Sequence, residues 1–108
     1  MNVVTTAPVG TSVDGDNVVI GDRSVFARKD RIHASVLSTG ASQGLRLSAR
    51  WLSPDGQAIS ETAQALVPTG AVVTTFTLSN ARPWPAGDYR LEVAINGRRE
   101  QTRAFKIR

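Results

Sequence analysis

The sequence predicts an all-β protein, a two-sheet antiparallel sandwich of about seven strands behind a flexible N-terminal lead-in. Three observations predict it. From Tyr89 to Ile95, the residues Tyr89, Leu91, Val93 and Ile95 share one face while Arg90 and Glu92 share the other, the period of two of a strand with one side on a core. Short runs of this kind recur along the chain, separated by clusters of Gly, Pro, Asn, Asp and Ser. No segment holds a helical period convincingly.

At 108 residues the chain is one domain by size. A chain of that length buries roughly two-thirds of its extended surface and folds without staples. It needs none, because it has no cysteine, which excludes disulfides, cysteine-based zinc sites and thiol nucleophiles and says nothing about redox compartment. The net charge of +4 comes almost wholly from arginine, with eleven Arg against two Lys. That balance admits polyanionic partners, although the interspersed acids also suit ion-paired, solvated strand faces. No apolar run approaches the roughly 18 residues of a membrane span. The stretch after Met1 lacks the basic and apolar regions of a signal peptide.

Residues 1–22 are rich in Val, Thr, Gly, Ser, Asn and Asp without a sustained period, and the sequence predicts a flexible segment there, with a short strand near Asn17 to Ile20. Asp14-Gly15-Asp16-Asn17 shares the opening of a calcium loop but lacks its further ligand spacing and closing Glu, so it reads as a polar turn. The sandwich is expected to span residues 23–108. Ser24 to Arg28 forms a short strand anchored inward by Phe26, and Arg31 to Ser38 a longer one with Ile32, Ala34 and Val36 on one face. In Leu45 to Leu52 the inward set is Leu45, Leu47, Ala49 and Trp51. Ser53-Pro54-Asp55-Gly56 suits a type I turn with a glycine bulge, which sets Trp51 opposite Ile59 with both inward. Residues 57–68 carry a weaker signal, in which Ser60 to Leu66 reads as a helical turn or a ragged edge strand, and the Val, Thr and Ile neighbours and short length favour strand. Ala71 to Leu78 is a strand with Val72, Thr74, Phe76 and Leu78 on one side.

The last hairpin holds a conflict. Asn96-Gly97 is a strong two-residue turn signal. An unbroken register from it would set Tyr89 opposite Ala104 and leave Phe105 and Ile107 in solvent. Burying those two side chains is worth roughly 1.5–3 kcal/mol each, so the pattern predicts one extra residue that sets Tyr89 opposite Phe105 and Leu91 opposite Arg103. Arg103 then has to snorkel at the sheet edge, or the bulge falls between it and Phe105.

Trp51 on the third predicted strand and Gly87-Asp88-Tyr89-Arg90-Leu91 at the start of the sixth resemble the immunoglobulin-like sandwich, in its cysteine-free form found as a module of bacterial envelope and surface proteins. The resemblance implies a buried strand-C tryptophan and a tyrosine corner opening strand F. It also implies that Leu91 stands where the second cysteine would be, facing one of Ile32, Ala34 or Val36. Trp51, Tyr89, Leu91, Phe76 and Phe105 then form the structural framework. No catalytic residue comes with it.

The residues themselves offer little reactive chemistry. His33, the only histidine, has Asp30 and Ser35 nearby in sequence, yet no nucleophile elbow or oxyanion loop accompanies them. No pair of carboxylates is placed in a cleft and no glycine-rich phosphate loop precedes a helix. The reading is therefore a non-enzymatic module without catalytic residues, metal or cofactor. It would act as a protein-interaction or spacer domain of a bacterial envelope or surface protein, periplasmic or cell-surface with the cytoplasm left open, and a monomer in isolation. Its partner is expected to be a protein, met at the loops Thr39 to Gly44 and Ala81 to Asp88 or at a free sheet edge. Trp84, between Pro83 and Pro85, either caps the open end of the sandwich or serves as an exposed anchor. The alternative is a basic domain binding nucleic acid or acidic glycan through Arg46, Arg50, Arg90, Arg98 and Arg99, with Glu92 and Glu100 interleaved as ion-pair partners.

Overall fold

Among the residues described by the computed structural model, 2–79 and 83–108, nine strands form and no helix does. They are β1 (Val3–Thr6), β2 (Val9–Gly10), β3 (Val25–Phe26), β4 (Ile32–Thr39), β5 (Leu45–Leu52), β6 (Ala58–Leu66), β7 (Val72–Leu78), β8 (Gly87–Ile95) and β9 (Arg98–Ile107). In the first sheet β4 pairs antiparallel with β1 and β2 on one side and with β7 on the other. The second sheet runs β3-β9-β8-β5-β6, with β3 parallel to β9 and all other pairs antiparallel.

The expected boundary at residue 23 does not hold. Residues 3–10 are one strand of the sandwich in two pieces, interrupted where Pro8 has no N–H to give to the ladder. Val4 and Val9 are buried in the core. Residues 13–19 then fold over the outer face of the first sheet. Val13 bridges Val19, the Asp14 carboxylate accepts from the amides of Asp16 and Val18, and the Val19 amide donates to Ser35 Oγ at 3.0 Å. The sequence hides this because pieces of four and two residues are too short to show a period.

Both predicted hairpins form, and each contains a bulge. Ser53 N donates to Gln57 O and Gly56 N to Ser53 O, closing a three-residue loop. Beyond it Leu52 faces Ala58 but Trp51 faces Ser60. Ile59 is the extra residue and lies 39% exposed, so it does not share the inward face of Trp51 as its spacing suggested. In the second hairpin Asn96 and Gly97 both take positive φ, 52° and 83°, as a type I′ turn demands. Ala94 faces Arg99 and Val93 faces Gln101, which makes Glu100 the extra residue. Tyr89 therefore faces Phe105 and Leu91 faces Arg103, the register expected from the apolar pattern.

Phe105 thereby becomes the hub of the core. Its ring stacks on Tyr89 at 5.7 Å and meets Trp51 and Phe26 edge-on at 5.9 and 5.6 Å. Around it Ile32, Ala34, Val36, Leu47, Leu91 and Val93 are fully buried, and Phe76 and Leu78 close the β7 side. The framework residues Trp51, Tyr89, Leu91, Phe76 and Phe105 thus lie in one apolar cluster. At one end, a Cβ on Gly87 would fall 2.6 Å from Pro54 Cγ, and its φ is +154°. Only glycine lets the β5–β6 turn approach the start of β8 this closely.

Candidate functional site

The two open sides of the sandwich are treated differently by the sequence. Beside β1, β2 and β3 the edges are latched by side chains. Glu100 Oε1 accepts from the Val4 amide at 3.2 Å, and Gln101 Nε2 donates to Val4 O at 3.2 Å. Asp22 Oδ1 accepts from the Val9 amide at 3.0 Å and from Arg103 Nη2 at 2.9 Å. Arg103, on the inward parity opposite Leu91, reaches out along this edge and also donates to Arg23 O and Ser24 Oγ. Glu100 has its carboxyl held below the usual glutamate range, first by the hydrogen bond from Arg98 and then by the Val4 amide.

The other side is open. Among the described residues β6 pairs only with β5 and β7 only with β4. Between them runs a groove of about 380 Å³ whose wall includes Gln64 and Leu66 from β6 and Val72 to Thr75 from β7. Strand β7, VVTTFTL, carries no charge, no proline and no bulge along its length. Asn17 touches it from the outside, its carbonyl accepting from Thr75 Oγ1 at 2.9 Å. Val67, just past β6, is 73% exposed.

The arginines predicted to share a face do so only in part. Alternation on β5 and β8, and the bulge on β9, place Arg46, Arg50, Arg90 and Arg99 on the outer face of the five-stranded sheet. Glu92 sits among them, 4.0 Å from Arg50 and 3.2 Å from Arg99. Arg98 departs from that face. It faces Ile95 directly across the turn, so it shares the inward parity and reaches Glu100 at 2.9 Å and Asn2 O at 3.4 Å. Glu100, the bulge residue, also turns to β1 and does not join the outer ladder. No ion pair among the described residues engages Arg46 or Arg90.

Sequence reasoning missed a second gathering of cations at one end of the sandwich. The end of β9 and the start of β8 meet there, the Arg108 amide donates to Phe26 O, and Arg28 is tied to Trp84 through both its carbonyl and its Nε. Arg90, Lys106 and Arg108 gather here with Asp88 among them. A cleft of about 520 Å³ opens there, lined by Val25, Pro54, Ala104 and Phe105 and by the charged Asp88, Arg90, Lys106 and Arg108. These residues come from segments far apart in sequence, so no local run could announce them.

Trp84 is 8% exposed, with its ring edge-on to Tyr89 at 6.4 Å. Of its two sequence readings, the geometry is that of the cap. Of the loop Ala81 to Asp88, Ala81 and Arg82 lie outside the described residues. His33 does not meet Asp30 or Ser35. Its Nδ1 is hydrogen-bonded to Thr77 Oγ1 at 2.8 Å, Ser35 Oγ serves the Val19 amide, and Asp30 Oδ2 accepts from the Ala27 amide. Burial and then Arg31 push the His33 pKa below its usual value. Among the described residues no three His, Asp or Glu side chains converge as a metal site needs, and no helix is long and apolar enough to cross a membrane.

No protein-family model matches the chain, and no curated protein does. Solved structures do. An immunoglobulin-like protein from Pseudomonas aeruginosa is similar over all of this chain and 97% of its own, with a TM-score of 0.64 at 18% identity. The fold is immunoglobulin-like. The same sandwich is similar, with a TM-score of 0.59 and 14% identity, to part of an alkylpurine DNA glycosylase, AlkC, from Pseudomonas fluorescens, solved bound to DNA containing an abasic-site analogue. There the match covers 99% of this chain but only 30% of the glycosylase. The immunoglobulin-like frame also accounts for the end of the core, where Tyr89 Oη donates to Pro85 O at 2.6 Å and forms the tyrosine corner. Burial of that hydroxyl pushes its pKa up.

Proposed function

We propose that this immunoglobulin-like domain is a non-enzymatic interaction module of a bacterial envelope or surface protein, and that it takes its partner by adding a strand to β7. The observation that carries this reading is the asymmetry of the two sides. One is latched by Asp22, Glu100, Gln101 and Arg103, while β7 offers an uncharged edge next to a groove walled by uncharged side chains such as Gln64, Leu66 and Val73. Natural sheets guard such edges with charge, proline or bulges, and an unguarded edge is a template for an extended peptide. The bacterial setting is supported by the Pseudomonas origin of the two structures described above.

The probe is a solubilised peptide of the Val72–Leu78 sequence, titrated into the isotopically labelled domain. Amide shifts running along β7, abolished by Val73→Lys and Thr75→Lys, are the expected result. Shifts confined to the latched side, or none at all, would sink the strand-addition reading.

A second reading has its own support. The cation pole, together with the likeness to part of a glycosylase solved on DNA, favours an anionic polymer as a ligand. Its general sign is affinity that falls steeply with salt.

A further inference from the structure

We propose that the cleft rimmed by Arg90, Lys106 and Arg108 holds the phosphate backbone of duplex nucleic acid. The inference rests on the anionic-polymer reading and assigns its site to the end of the sheet face where Arg90 and Lys106 lie, away from Arg46, Arg50 and Arg99. Four observations lead there.

The first is charge. On the rest of the sheet face Glu92 already engages Arg50 and Arg99, Glu100 has taken Arg98 away to β1, and Arg46 stands apart from the others without an ion pair among the described residues. At the cleft Arg90 and Arg108 have no acidic partner among the described residues. Asp88 opposes them, but its pair with Lys106 is long, 3.7 Å, and its side chain is 83% exposed, so an incoming phosphate competes with it readily.

The second is chemistry. Arg and Lys are the usual partners of phosphate oxygens, and three of them line one cleft; Ser24 and Ser53 line it too, with Ser24 Oγ accepting from Arg103 and Ser53 Oγ donating to Asp55. The third is shape, since a cleft of about 520 Å³ is concave enough to seat a backbone segment while remaining open to solvent. The fourth concerns stacking. Single-strand readers present aromatic faces to bases, whereas Tyr89, Phe105 and Trp84 here are 1%, 4% and 8% exposed. The aromatic rings at this end are spent on the core, so contact falls on the backbone and is insensitive to sequence.

The test is an amide-resolved titration of the full chain with a short DNA duplex and, in parallel, with heparin. Three phosphate contacts predict about 40-fold weaker binding between about 50 and 200 mM salt. An Arg90→Ala/Lys106→Ala variant should keep a dispersed spectrum, since both side chains are exposed. It should bind at least ~10-fold more weakly and retain about one-third of the salt slope. An Arg46→Ala/Arg99→Ala variant should bind as the parent does. Duplex shifts confined to Arg46, Arg50 and Arg99 would overturn the cleft assignment and leave the anionic-polymer reading standing. Heparin engaging the cleft while the duplex does not would make the ligand an acidic glycan and end the proposal. Silence towards both polymers would overturn the cleft and the reading beneath it together.

Discussion

Glu100 does three jobs with one side chain and its own backbone. It is the inserted residue of the β8–β9 hairpin, its Oε1 holds the Val4 amide, and its Oε2 takes Arg98 at 2.9 Å. Its carboxyl therefore has a lower pKa folded than unfolded, and the stability it contributes is present at neutral pH. That stability is lost as pH falls through and below the usual glutamate range, where the unfolded chain binds the proton first. The Val4 amide should lose exchange protection in acid before the β8 amides do, and Glu100→Gln should flatten that pH dependence. Equal acid sensitivity of Val4 and β8 would contradict the latch. Tyr89 shows how little a residue can need from its surroundings to be recognised, because its partner Pro85 lies only four residues back.

Among the elements, β9 is the one whose placement decides most. Without the extra residue, Phe105 and Ile107 would leave a core in which they are 4% and 1% exposed. Deleting Glu100 should therefore cost about 3–6 kcal/mol from those two side chains, a large part of a small domain's stability. Glu100→Ala keeps the bulge and removes only the carboxylate, so it should remain folded in thermal unfolding with a lower midpoint. A deletion variant as stable as Glu100→Ala would show that the bulge does not set the register. Strand β6 illustrates the opposite case. It is mostly exposed along its length, and Ile59 can sit in a bulge at the surface because no core position depends on it.

For the whole molecule the N-terminal piece is the point of interest. Val4 and Val9 are 5% and 0% exposed, and their backbone groups are latched by Glu100, Gln101, Asp22 and Arg23. Removing residues 1–10 should lower the unfolding free energy by about 3–6 kcal/mol from the two valines alone. A flexible tail would leave it unchanged, and denaturant unfolding of the shortened chain separates the two outcomes. The charge is also organised at this scale. Acids line the latched side and pair there, while cations from the start of β8 and the end of β9 collect at one cleft.

The chain by itself determined the all-β class, the strands from β3 onward, both hairpin turns and the register of Tyr89 on Phe105, while the tyrosine corner was implied by the resemblance carried on Trp51 and Gly87 to Leu91. These follow from alternation, turn chemistry and short-range partners, which are local and survive without neighbours. Tertiary structure alone decided that residues 3–10 belong to the sandwich and that Arg98 leaves the arginine face. It also decided that Trp84 turns inward, and that Arg90, Lys106 and Arg108 share a cleft with Val25 and Pro54. In each of these the deciding contact joins segments distant in sequence, or depends on which residue a bulge inserts. The physical cause is long-range packing, and no period within one segment carries it.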